Sequence, residues 1–124
     1  MRTAGRKGEV RTWFAAHREF HQTMYTAVGE GLQRQLAAYA DRSIRYIRIH
    51  RLAEPISRQT AGEAEHQAIF DAVVARDRPA ALTGLAHHLA RTAERVLSEC
   101  VPAYRIQAVT HALALVDQLV LAGT

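Results

Sequence analysis

Three prolines and a few glycines are the only strong breakers in this 124-residue chain, and they fall where segments of helical length would end. Gly29 and Gly31 flank Glu30, and Pro55, Pro79 and Pro102 follow at wide intervals. Proline lacks a backbone N–H and clashes with the preceding turn, so each one closes or opens a helix. Between the breaks Ala, Leu, Arg, Gln and Glu dominate, all good helix formers, and alternating apolar/polar runs are nearly absent. The expected fold is all-α, an antiparallel bundle of about five helices joined by short connections.

The expected first helix covers residues 8–28, with Val10, Trp13, Phe14, Phe20, Met24 and Val28 on its apolar stripe. The second covers 31–53, with Leu32, Leu36, Tyr39, Tyr46 and Ile47 on one face. The third starts near Thr60, where Thr60 and Glu63 form a capping-box pattern, and carries Ile69, Phe70 and Val73. The fourth starts after Asp77, a good N-cap with Pro79 in the first turn, and carries Leu82, Leu85, Leu89 and Val96. The fifth follows Pro102. Its Val109, Leu113, Leu115, Val116, Leu119, Val120 and Leu121 wrap most of the circumference, the pattern of a helix that is buried or covers a partner. Residues 1–7 read as a flexible basic lead-in, and 8–124 as a single domain.

Composition removes several classes of function. No apolar run approaches the length of a membrane span, and the N-terminus has no apolar signal core. The single cysteine, Cys100, cannot form an intrachain disulfide. A cytoplasmic location is therefore expected. The net charge of +4 is too small to argue for nucleic-acid binding.

The unusual feature of the composition is seven histidines. His17 and His21 are four residues apart on the apolar stripe of the first helix. His66 lies one turn before Ile69 and Phe70, and His88 lies beside Leu85, Leu89 and Thr92. Three helices thus point imidazole inward. Four such rings could hold one divalent metal, because imidazole suits Zn, Ni, Cu, Co and Fe. The alternative is four core histidines, each bonded to a carbonyl. One metal satisfies all four at once, yet spacing alone does not choose.

Other site motifs fail on spacing. His17-Arg-Glu-Phe-His21 has Arg18 where a zincin helix needs glutamate, and Glu63-Ala-Glu-His66 lacks the second copy that a di-iron bundle requires. No catalytic triad is suggested. Arg42, Arg45, Arg48 and Arg51 drift round the second helix, read as a solvated face or as a source of one inward arginine for a carboxylate. Tyr39, Ser43, Tyr46 and His50 share one side of that helix and are candidates for polar lining of an effector pocket, or for half-buried packing.

Four stretches together resemble the FCD domain, the C-terminal effector-binding domain of FadR-type regulators in the GntR family. They are His17-Arg-Glu-Phe-His21, Glu65-His66-Gln67-Ala68-Ile69-Phe70-Asp71-Ala72, Arg76-Asp77-Arg78-Pro79-Ala80-Ala81 and His87-His88-Leu89. The resemblance covers roughly residues 13–98. It implies an antiparallel helical bundle, usually dimeric, with a divalent metal, often zinc or nickel, held by one Asp and three His. A small carboxylate effector would dock on the metal. Carried over by position, the Asp becomes His17 and the three His become His21, His66 and His88. Gly29-Glu30 stands where the family usually has Gly-Asn. The family's winged helix-turn-helix and first bundle helices have no counterpart here, so no direct DNA binding by this chain is expected.

The resulting expectation is a metal-dependent domain that binds a small carboxylate effector, assembled as a homodimer. Two rivals stand beside it. A metalloenzyme could use the same layout on a small carboxylate or amino-acid-like substrate, although no unmistakable general base is near: Glu63 and Glu65 read as pointing away or as supporting a ligand from behind. No catalytic residue is assigned. The other rival is a metal-free dimerisation module.

Overall fold

The computed structural model describes residues 2–53, 56–101, 103–104 and 106–123, with side chains for 9–49, 61–98, 100–101, 103–104 and 106–123. Among these residues the chain is all-α. Its five helices are α1 (Arg2–Thr23), α2 (Glu30–Ala53), α3 (Ile56–Val74), α4 (Arg78–Cys100) and α5 (Gln107–Ala122). The backbone falls into two compact units, Met1–Arg45 and Tyr46–Thr124. No helix among the described residues is long and apolar enough to cross a membrane.

Helix boundaries differ from expectation in three helices. α1 already includes residues 2–7, expected as a lead-in, and it stops at Thr23 rather than Val28. The end is local chemistry. Met24 and Tyr25 donate to carbonyls only three residues back, which tightens the turn, and the Thr23 and Thr26 hydroxyls bond back to Glu19 O and Thr23 O. The Gln33 side-chain amide then donates to Thr26 O and Val28 O, tying the connection to the first turn of α2. An Arg18–Asp41 ion pair links α1 to α2.

α3 begins at Ile56, directly after the Pro55 break, so Thr60 lies inside the helix and the expected capping box is not its start. The Pro55 residue and the Thr60 side chain lie outside the described residues. α5 begins at Gln107, four residues later than a start immediately after Pro102, with the Ile106 carbonyl accepting from Val109 and Thr110.

The α3–α4 turn follows the sequence closely. Arg76 adopts a left-handed φ of 56°. Its N–H donates to Val73 O and the Asp77 N–H to Ala72 O, the paired bonds of a Schellman ending. Asp77 then caps α4, its Oδ1 accepting from Ala80 N at 3.0 Å, with Pro79 in the first turn. This reversal makes α3 and α4 a tight antiparallel hairpin. Residues equidistant from the turn face each other, so Ile69, only 2% exposed, meets Gly84. A Cβ at Gly84 would sit 3.2 Å from Ile69 Cγ1, so the missing side chain is what allows the close approach.

Two apolar faces differ from the sequence pattern. On α2 the half-buried side is Gln33, Leu36, Ala37, Ala40, Ile44 and Ile47, about a quarter-turn from the expected stripe. Leu32, Tyr39 and Tyr46 of that stripe are exposed. On α5, which packs on α4, no residue is buried. Phe70, Val73, Leu82 and Leu89 are likewise exposed.

Candidate metal centre

The first histidine pair is built by one helix. Four-residue spacing stacks His17 and His21 along α1, their ring centroids 4.5 Å apart. Trp13, one turn earlier, stacks on His17 at 4.6 Å, and Phe20 meets His21 edge-on. These aromatic neighbours restrict both rings. The two Nε2 atoms come within 3.2 Å. That is the distance of an N–H···N hydrogen bond, one ring donating as its Nε2–H tautomer, and also of two lone pairs turned to one metal ion. Two imidazole nitrogens on one zinc, with bonds of about 2.0–2.1 Å, stand roughly 2.8–3.4 Å apart for bond angles of about 90–110°. The observed separation falls inside that range.

The second pair is built by the hairpin. His66 on α3 and His88 on α4 are nearly equidistant from the Arg76–Asp77 turn, and their ring centroids lie 4.3 Å apart. His88 is 4% exposed. Its Nδ1 meets Glu65 Oε2 at 2.8 Å, and the other carboxylate oxygen accepts from Arg91 Nε at 2.9 Å. Burial pushes the Glu65 carboxyl up, but hydrogen bonds from His88 and Arg91 and their charges outweigh it, leaving Glu65 ionised below the usual carboxylate range. An anionic Glu65 holds the His88 proton on Nδ1 and leaves the basic lone pair on Nε2. Histidine ligands of metals are oriented by carboxylates in this manner.

The structure thus offers four histidines in two pairs, His17 with His21 along α1 and His66 with His88 across the α3–α4 hairpin. All four are neutral nitrogen donors of the kind that zinc and nickel accept. The donors fit such an ion in ring spacing within each pair and in carboxylate support for His88.

Tyr39, Ser43 and Tyr46 are exposed, and the Ser43 hydroxyl donates to Tyr39 O on its own helix. The His50 side chain lies outside the described residues. Three residues escaped the sequence reading. Arg91 lies three positions beyond His88, and hairpin arithmetic could have placed it near Glu65. Gly84 could have been found as the small residue opposite Ile69. Tyr25, four residues after His21, has a buried hydroxyl with no hydrogen-bond partner among the described residues. No sequence signal marks it.

The FCD domain family model matches residues 1–91. The chain belongs to the FCD domain family. Both histidine pairs of this FCD domain lie within the match, while α5 lies wholly beyond it. No curated protein and no solved structure matches the chain.

Proposed function

We propose that this FCD domain is the metal-dependent effector-binding domain of a GntR/FadR-type regulator, and that its effector is a small carboxylate. His17, His21, His66 and His88 would hold one divalent ion, zinc or nickel by donor type. The observation that carries the reading is the Glu65–His88 contact, which fixes a buried imidazole in the tautomer a metal needs. The 3.2 Å separation of the His17 and His21 nitrogens is also one that two ligands of a single ion would have.

The donor set explains the effector class. Family members carry an anionic Asp at the position of His17, so this chain offers four neutral rings instead. A divalent charge in a poorly hydrated site is costly without an anion. When bound, the metal supplies a positive centre for a carboxylate. The protein's own part is to orient the rings, through Trp13 on His17 and Glu65 on His88, and to offer a donor from Tyr25. The Tyr25 hydroxyl is buried with no hydrogen-bond partner among the described residues, which costs about 1–3 kcal/mol, a cost that a bound carboxylate would offset. The domain would act as a homodimer, as its family implies.

Calorimetric titration of citrate and of lactate into metal-free, metal-loaded and metal-loaded His17→Asp protein tests this. Binding is expected only with metal, and weaker in His17→Asp, whose new carboxylate supplies the charge internally. Equal affinity with and without metal would overturn the metal-anchored mode. Tighter binding in His17→Asp would overturn the charge argument and leave the metal site standing.

A further inference from the structure

α5 carries two apolar rows. Ile106, Val109, Leu113, Val116 and Val120 are half-buried, the row turned to α4. About a third of a turn away lie Ala112, Leu115, Leu119 and Ala122, all exposed, with Leu115 at 60% and Leu119 at 69%. The second row has spacings of three, four and three, and it reads Ala-Leu-Leu-Ala in both directions. An antiparallel copy of the helix therefore presents the same row in the same order. A two-fold axis through the row's midpoint sets Leu115 against Leu119 of the partner subunit, and Ala112 against Ala122 of the partner subunit. Two-fold interfaces require this reciprocity, in which one position meets a second and the second meets the first. Leucines at the centre supply apolar area, and the outer alanines let the two backbones close in.

Charge points the same way. The row itself is uncharged, and Asp117, level with its midpoint, lies on the opposite side of the helix. The exposed apolar residues of α2, in contrast, stand among Arg42, Arg45 and Arg48, where a second basic copy would bring like charges together. We infer that the Ala112–Leu115–Leu119–Ala122 row of α5 is a self-association surface that takes a second copy of this chain in antiparallel register. It names a contact for the homodimer proposed above, on a helix outside the family match, and does not depend on metal.

Sedimentation equilibrium of the full chain at micromolar concentration, with helicity followed by circular dichroism, tests the surface. The wild type is expected to be a dimer. Leu115→Glu/Leu119→Glu is expected to keep its helicity and raise the dimer dissociation constant about 100-fold or more, because it buries four carboxylates at the axis. Register is read by cysteine pairing in a Cys100→Ser background. A mixture of Leu115→Cys and Leu119→Cys chains should cross-link under mild oxidation far more than either alone. A monomeric wild type overturns the inference together with the homodimer. A dimer that survives the double glutamate variant overturns only this surface. Cross-linking of each cysteine variant alone, as strong as in the mixture, overturns the antiparallel register.

Discussion

The two histidine pairs reach similar geometry by different means. His17 and His21 need only one helix: four-residue spacing brings their rings together wherever α1 forms. His66 and His88 need two helices, a reversal that fixes their register, a glycine that lets the helices approach, and a carboxylate that fixes a proton. The first pair is simple to form and carries little of the fold. The second is embedded in the α3–α4 core, so changes there should alter stability and binding together.

The largest expected effect separates these roles. His88→Ala should abolish metal binding and also destabilise the fold by about 1–3 kcal/mol, because it empties a buried site and strips Glu65 of one partner. His21→Ala should lose metal binding to a similar extent with a stability change below about 1 kcal/mol. Urea denaturation of the metal-free proteins, paired with metal titration, measures both. Equal stability losses in the two variants would erase the distinction between the pairs.

Glu65→Gln is the next step down. It keeps the size of the side chain but gives up the charge that holds the His88 proton on Nδ1. Metal affinity should fall about 10- to 100-fold while the helical spectrum is unchanged. Unaltered affinity by competition with a chelator would mean that Glu65 serves only the fold.

Tyr25→Phe sharpens the comparison on the side of the first pair. Removing a buried hydroxyl that lacks a hydrogen-bond partner among the described residues should leave stability unchanged or slightly higher. Carboxylate binding to metal-loaded protein should weaken about 10-fold, the loss of a hydrogen bond to a charged group. A stability loss with unchanged carboxylate affinity would assign Tyr25 to packing alone.

The last contrast concerns two glycines of the hairpin. A Cβ at Gly62 would meet nothing within 4 Å, so Gly62→Ala should stabilise α3 by about 0.5–1 kcal/mol through helix propensity. Gly84→Ala gains the same propensity but meets Ile69 in the core, and overpacking there costs about 1–3 kcal/mol. Thermal melts should therefore move in opposite directions, and metal affinity should drop only in the second variant.

Much of this was legible in the sequence because it is local. The breakers marked five helices, Asp77 and Pro79 marked the start of α4, and four-residue spacing paired His17 with His21. The α3–α4 contact was also within reach, since Arg76–Asp77 fixes which residues face each other. What the pattern could not supply was the choice between faces of one helix. α2 has apolar residues on two adjoining sides, and the one with small Ala37 and Ala40 is half-buried, leaving Tyr39 and Tyr46 outside. The end of α1 depended on threonine hydroxyls and on the reach of Gln33, contacts that periodicity does not encode. The pairing of Glu65 with His88 rather than its chain neighbour His66 followed from the packing of α3 on α4.

The central claim is that four histidines serve one metal ion. Elemental analysis of untagged protein, combined with the absorption spectrum of the cobalt-substituted form, tests it most directly. The account predicts about one ion per chain, a spectrum of nitrogen-rich coordination, and loss of that spectrum in His21→Ala and His88→Ala alike. Metal content near zero, with no shift in melting temperature on adding zinc or nickel, would contradict it.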